Sequence, residues 1–371
     1  SGWVAFNYKP LPSTFWPTNG STDDVMIQLP EAFRSSRCHG DSTNSRDTYL
    51  ANLSILEMAI KGLDSISTPP IDEQGVCQDL DGNGILDVIT HLPRRSTYAG
   101  MASSIAAQSM RYPVGTRFLH TVRYVDVDSD GNISVSARMK EVRYMRKIQT
   151  FENNELLGLY GNELQEKLDG NLPRYPNHQD RGFYNKFGWE IIGWIEDRNG
   201  ELRQQAWQEQ QFCMGCHTTL GTTIDHTFAF PRKVTGAQGW GYIDLRGMED
   251  VPARGQTDGE ILQYLRRVGG GNEFRENPEM QARSFDADGN LDVQSVRAAD
   301  VYTLVTPSRQ RALALNKAYR VIVSEQSFLY GRDATIEPAT NVYEQVDPAR
   351  VTPLPADAHV HNYDVRLQWP D

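Results

Sequence analysis

The 371-residue sequence predicts an α+β fold on three observations: a helical apolar stripe in its first quarter, two stretches of strand-like alternation around Asp/Asn/Gly turns, and helical patterning through much of its C-terminal half. The stripe is Tyr49, Leu53, Leu56, Ile60 and Leu63, spaced by four and three from Arg46 onward, with Gly62 and then Pro69-Pro70 marking its end. The first alternation, Phe118, His120, Val122 and Tyr124 followed by Ile133 and Val135, flanks Asp128-Ser129-Asp130-Gly131-Asn132 and predicts a β-hairpin. A second hairpin is predicted where Trp189 to Ile195 runs into Asp197-Arg198-Asn199-Gly200 and returns through Glu201-Leu202-Arg203. Residues 207–212, 260–268 and 308–324 read as helices, the last with Leu313, Leu315, Ala318, Val321 and Ile322 as its apolar face. Ahead of all these, Pro10, Pro12, Pro17 and Pro30 among Trp3, Phe6, Tyr8, Phe15 and Trp16 suggest an extended segment pinned by its rings. Breakers and polar groups from Pro173 to Arg181 place a soft boundary near residue 180, dividing an N-terminal region of helices and hairpins (1–180) from a mainly helical region (181–371).

Composition narrows the function classes. Thirty-seven Lys and Arg against 48 Asp and Glu leave a net charge of −11, which removes the general attraction to phosphate that nucleic-acid binders use. No apolar run approaches the roughly 18 residues of a membrane span, while 39% hydrophobic residues suffice for a folded interior. The opening Ser1-Gly2-Trp3 has no initiator Met, which suggests a mature exported protein whose leader has been removed, with the periplasm as its default location.

The four cysteines fall into two groups. Cys38 and Cys77 stand alone and form an even pair, for which a disulfide in an oxidising compartment is the simplest expectation. Cys213-Met214-Gly215-Cys216-His217 is C-x-x-C-H: two thiols spaced to bond the vinyl groups of a haem, followed by an imidazole for the iron. A zinc site is the alternative, but it needs further ligands and no second cysteine pair exists. Over about residues 205 to 290 the chain resembles the c-type cytochromes, and the resemblance implies haem c held by Cys213, Cys216 and His217 in a mainly helical, cytochrome c-like haem region. It makes the carbonyl of Pro231, 14 residues after His217, a partner for the imidazole, and Arg232 or Lys233 a partner for the propionates. Met280, 63 residues after His217, is the first choice of sixth ligand, with Met248, His226 or no protein ligand as alternatives.

Three acidic stretches are compared with calcium loops. In Asp79-Leu80-Asp81-Gly82-Asn83-Gly84-Ile85-Leu86-Asp87, Asp79, Asp81, Asn83 and Asp87 occupy positions one, three, five and nine, Ile85 offers the carbonyl of position seven, and Gly84 is at six. Thr90 replaces the bidentate Glu of position twelve, so an ordinary turn is the alternative. Asp126, Asp128 and Asp130 match half a loop but favour a hairpin turn, and the stretch from Ser284 to Ser295 fits only with Ser at both positions one and twelve.

Together these observations predict a periplasmic one-haem cytochrome that passes single electrons to redox partner proteins. A haem enzyme with an open distal position, using His226 and Asp225 as base, is one alternative, and a structural subunit of a larger redox assembly is another.

Overall fold

Strands from both halves of the chain build one seven-stranded antiparallel sheet. The computed structural model describes residues 1–11, 21–39, 41–169, 175–211, 224–268, 278–328 and 364–370. The strands are β1 (Val4–Phe6), β2 (Ser21–Gln28), β3 (Ser35–His39), β4 (Asp41–Asn44), β5 (Ser65–Asp72), β6 (Val88–Pro93), β7 (Arg117–Val127), β8 (Ile133–Lys147), β9 (Phe183–Tyr184), β10 (Trp189–Glu196) and β11 (Leu202–Gln204). The main sheet runs β1-β2-β7-β8-β10-β11, with β9 added to β10; β3-β4 and β5-β6 form two separate ribbons.

Both predicted hairpins form, and each closes on an aspartate. Between β7 and β8, Asp128 Oδ1 accepts from the Asp130 and Asn132 amides at 2.9 and 2.8 Å, and Gly131 takes the positive φ of 85° that the tight turn requires. Between β10 and β11, Asp197 Oδ1 accepts from Asn199 and Glu201 in the same way, at 2.8 and 2.9 Å.

The expectation of a mainly helical, cytochrome c-like region after residue 180 is overturned here. Strand β10 pairs along its whole length with β8, from Trp189 opposite Lys147 to Ile195 opposite Glu141, so the later residues complete the sheet begun by the earlier ones. The alternation around Asn199-Gly200 announces a local hairpin, but pairing with β8 depends on partners more than 40 residues away, which no local period encodes.

The helix Arg46–Lys61 forms where the apolar spacing predicts it. Ser45 caps its first turn by accepting from the Thr48 amide, and Gly62 ends it in the left-handed conformation with φ 65°. Pro69-Pro70, expected as a stop signal, lies within β5. The helix is buried from Thr48 through Lys61 instead of along one stripe, because the β5-β6 ribbon, β3 and the segment 229–232 pack around it. Several of its polar side chains are paired. Asn52 donates to the carbonyls of Phe33 and Ala99 and accepts from the Ala99 amide. Glu57 holds Lys61 at 3.0 Å and Lys233 at 2.8 Å and accepts from the Gly236 amide. Burial pushes the Lys233 ammonium down to about 8, against the pull of Glu57, and lowers Lys61 in the same sense.

Two apolar clusters carry most of the interior. One joins Leu53, Leu56 and Ile60 of the buried helix to sheet residues Ile27, Phe118, Met145 and Trp189; it includes Phe6, whose ring stacks on Phe230 at 5.5 Å. The other is a helical group made by Glu260–Val268, Pro278–Ser284, Val293–Ala298 and Val301–Val305. A smaller contact seats the helix Arg309–Glu325 on β7, with Tyr319 and Val323 against Tyr124 and the Lys140 ammonium between the two tyrosine rings at 4.5 and 4.7 Å. The face of that helix is Ala312, Leu315, Tyr319, Ile322 and Val323, whereas Leu313 and Val321 of the expected stripe are 41% and 54% exposed. A stripe rotated by one residue reads almost equally well in a helix with apolar groups on adjacent positions.

A buried ion network ties the N-terminal segment to the helical group. Arg232 clamps both oxygens of Glu260 at 2.6 and 2.7 Å and donates to the carbonyls of Lys9 and Pro10. Lys9 pairs with Glu260 at 2.9 Å and with Asp250 at 3.1 Å, and Asp250 caps the helix start by accepting from Ile261 and Leu262. Burial alone would raise the Glu260 carboxyl, but the charges of Arg232 and Lys9 outweigh it and hold the group down to about 2. Its stabilising contribution is complete above the ordinary carboxylate value of 4.5 and is lost as the pH falls from there toward 2. Glu260→Gln is expected to cost about 3–5 kcal/mol by leaving Arg232 and Lys9 without their anion. Denaturant unfolding at neutral pH measures this loss, and a variant as stable as the native chain would refute it.

Candidate functional site

The most concentrated set of metal-ligand groups lies in the loop that joins β5 to β6. The ribbon closes at Asp72 opposite Val88 and Ile71 opposite Ile89, so residues 73–87 form the connection. It begins with a short helical turn, Glu73–Val76, which Asp72 caps by accepting from the Gln74 amide and which ends at Cys77 with φ 57°. Cys77 is joined to Cys38 on β3 by a disulfide, with Cα atoms 5.3 Å apart and a sequence separation of 39. The expected pairing of these cysteines is thus observed, and it ties the start of the loop to a neighbouring ribbon.

Within the loop, Asp79 accepts from the amides of Gly82 at 2.6 Å and Gly84 at 2.9 Å, Asp81 from Asn83 at 3.0 Å, and Asn83 from Ile85 at 2.7 Å. Gly82 and Gly84 have φ values of 81° and 85°, which let the chain coil around these oxygens. The Gly84 amide does most to hold the Asp79 carboxyl below its ordinary value. Beneath the loop, the buried Glu73 carboxylate accepts from Leu80 at 2.5 Å and from Asp87 at 3.2 Å. Among the described residues, Glu73, Asp79 and Asp81 form a group in which one carboxylate oxygen from each lies within 4.8 Å of the others. Asp87 stands outside that group and meets Glu73 through its backbone, and Thr90 lies on β6.

Glu73 is the residue that the sequence pattern missed. A calcium-loop template counts forward from Asp79, whereas Glu73 precedes it and is brought back by the turn at Cys77; an acidic residue shortly before the loop was the available signal. The other two acidic stretches spend their carboxylates on their own turns. Asp128 and Asp286 each accept from two backbone amides and from an Asn side chain, at 3.2 and 3.1 Å for the latter, and Asp292 with Ser295 caps the helix Val293–Ala298.

Of the residues assigned to haem, Cys213, Cys216 and His217 lie outside the described residues. Met280 is 3% exposed in the second apolar cluster, where Met248 also packs. Pro231 sits in the core, its carbonyl accepting from the Leu367 amide at 3.1 Å. Arg232 is engaged by Glu260 and two carbonyls, and Lys233 by Glu57. Asp225 pairs with the buried Lys147 at 2.5 Å and accepts from the Tyr112 amide, so its carboxylate orients those groups. Burial pushes the Asp225 carboxyl up and the Lys147 ammonium down. His226 stacks on Phe187 with centroids 4.2 Å apart.

A "-like lipoprotein" family model matches residues 1–302 of this chain. An uncharacterized lipoprotein of Aquifex aeolicus (strain VF5) is 31% identical over 373 residues, an alignment that covers 90% of this chain. The chain spans about 60% of the length of that curated relative. No solved structure matches. The chain belongs to this lipoprotein family, and such proteins are exported and either membrane-anchored or extracytoplasmic. No helix among the described residues is long and apolar enough to cross a membrane.

Membership overturns the cytochrome reading. The match covers the C-x-x-C-H segment together with everything before it; it indicates a lipoprotein family and points to no cytochrome or haem-related function. The one-haem electron carrier, the haem enzyme with an open distal position and the redox-assembly subunit are withdrawn on that ground. A five-residue motif fixes two thiols and an imidazole in sequence, but it does not specify the rest of a fold, and here the rest is a large sheet.

The disulfide gives the test of this region. Replacing Cys38 and Cys77 by Ser together is expected to lower stability by about 4 kcal/mol, the chain-entropy cost of freeing a loop of this length. Equilibrium unfolding of the two proteins checks it; equal midpoints would show that the crosslink contributes nothing.

Proposed function

We propose that the chain is a periplasmic lipoprotein whose β5-β6 loop holds a calcium ion. The observation that carries this reading is the convergence of Glu73, Asp79 and Asp81. Calcium takes six to eight hard oxygen ligands, and the loop offers three carboxylates, the Asn83 amide oxygen and the Ile85 carbonyl in one short stretch. It offers no imidazole, and its sulfur at Cys77 is bound in the disulfide, so neither ligand type that would favour softer metals is supplied. When bound, the ion supplies a fixed double positive charge that stiffens the loop, because ligation in the folded state is linked to stability.

The chain's own residues supply the rest. Glu73 is immobilised by backbone donors and by burial, so the site is anchored to the core at one end. The Cys38–Cys77 disulfide restrains the other side of the same turn. Asp79 keeps its charge through the neutral range. Its contribution is present above its ordinary value of 3.8 and disappears as the pH falls below that value.

Calorimetric titration of the chelated chain with calcium is expected to show one site with a Kd of about 0.1–1 mM, the range of extracellular modules. Calcium at a hundred times that Kd is expected to add about 2.7 kcal/mol of stability. Asp79→Asn is expected to abolish both effects, while Asp286→Asn leaves them unchanged. Absence of binding heat together with a chelator-independent melting temperature would reject the calcium reading.

A further inference from the structure

The connection from β6 to β7, residues 94–116, holds one short helical turn, Gly100–Ala102, and is otherwise irregular. A connection longer than roughly 12–15 residues with so little structure of its own usually carries a function. This one is pinned along its length. Asn52 of the buried helix donates to the Ala99 carbonyl at 3.1 Å and accepts from the Ala99 amide at 2.7 Å, while the Tyr98 amide bonds to the Ile105 carbonyl and the Met110 amide to the Ala59 carbonyl, both at 3.1 Å. Gly100 has a φ of 64°, and a Cβ there would lie 2.5 Å from the Ser35 carbonyl oxygen, so the loop packs directly on the start of β3. Met110 takes a φ of 56°, a conformation that costs a non-glycine residue free energy and that persists where the surrounding structure enforces it, often beside a functional group. The residue it presents is Arg111.

The loop encloses a cavity of about 290 Å³, at the lower end of the range for small-molecule sites. Its walls include Phe33, Tyr98 and Tyr112, with Ile105 and Val114 on the rim at 38% and 52% exposed. The rings are fixed in advance: Phe33 meets Tyr98 edge to face at 4.7 Å, and Tyr112 stands edge-on to Phe118 at 5.2 Å and to Trp189 at 5.8 Å. Arg111 is the one charged side chain of the lining. It donates to two neutral oxygens, the Met110 carbonyl at 3.3 Å and Asn153 Oδ1 at 3.2 Å, and no carboxylate pairs with it among the described residues. Three of its five N–H donors are thereby left for a ligand. Asp225 is the acid whose charge reaches it, and that carboxylate is taken by Lys147 at 2.5 Å and by the Tyr112 amide at 2.9 Å. The geometry points to a binding site here for a small aromatic carboxylate, its ring among Phe33, Tyr98 and Tyr112 and its carboxylate on the Arg111 guanidinium. A planar carboxylate matches the guanidinium fork, and a ring gains edge contacts with aromatic walls beyond its apolar burial. The site goes beyond the calcium reading and shares no residue with it.

The test is calorimetric titration of the 371-residue chain with phenylacetate, and with phenylacetamide as its uncharged counterpart. Phenylacetate is expected to bind at one site with a Kd of about 1 mM or tighter, a range open to a ligand of this size in a formed pocket. Phenylacetamide is expected to bind at least about tenfold more weakly, because it cannot form the charge-assisted pair. Arg111→Gln is expected to weaken phenylacetate by a similar factor and to remove its advantage over the amide. Val114→Trp, a change at an exposed rim position that fills the cavity without touching the guanidinium, is expected to abolish binding of both compounds. Val321→Ser, on the exposed side of the helix Arg309–Glu325, is expected to change neither titration. Absence of phenylacetate binding overturns the proposal. Binding that survives both Arg111→Gln and Val114→Trp places the compound elsewhere and overturns it as well, and equal affinity for acid and amide overturns the role given to Arg111.

Discussion

A helix buried on every side is the constraint around which this protein is organised. Arg46–Lys61 runs through the main core and takes two charged residues with it, so Glu57 and Lys61 must find partners inside the protein. Burying ions costs far more than any single contact returns unless each is paired and hydrogen-bonded. The structure meets this requirement by bringing Lys233 and the Gly236 amide from a distant segment onto Glu57, and the carbonyl of Lys233 onto Lys61. The same segment continues from Arg232, whose bonds to Glu260 and to the Lys9 carbonyl join the helical group to the N-terminal segment. Two adjacent basic residues, one facing each ion network, thereby connect the parts of the molecule that contribute separate apolar clusters.

The acidic loops show how one local pattern acquires different uses. Asp-x-Asp-Gly-Asn occurs at 79–83, 128–132 and 286–290. In the second and third cases the first aspartate binds the amides of its own turn and the Asn side chain, which completes a tight reversal. In the first, a buried glutamate from outside the pattern lies beneath the turn and adds a third carboxylate. Electrostatic repulsion would drive these oxygens apart, and the amide donors of Leu80, Gly82, Gly84 and Asp87 offset it. The loop thus concentrates negative charge around a buried, hydrogen-bonded carboxylate.

The cysteine motif illustrates a separate point. Cys213 to His217 carries a strong chemical suggestion, and the residues chosen around it, Met280, Pro231 and Arg232, follow from spacing alone. In the fold, Met280 packs in an apolar cluster and Arg232 is held by a carboxylate and two carbonyls. Spacing from a motif identifies candidates, but the long-range partners that each side chain meets determine what it does.

Local chemistry was legible in the sequence. The buried helix, both hairpins with their Asp/Asn/Gly turns, the Cys38–Cys77 pair and the acidic loop from Asp79 to Asp87 all rest on interactions among near neighbours or on residue types with few alternatives. Tertiary structure alone decided that β10 pairs with β8 across the middle of the chain, that Glu73 joins Asp79 and Asp81, and that the C-terminal helix packs through Tyr319 instead of Val321. Each of these outcomes depends on which distant groups compete for the same strand edge, buried charge or apolar surface, and such competition is settled only when the whole chain is folded.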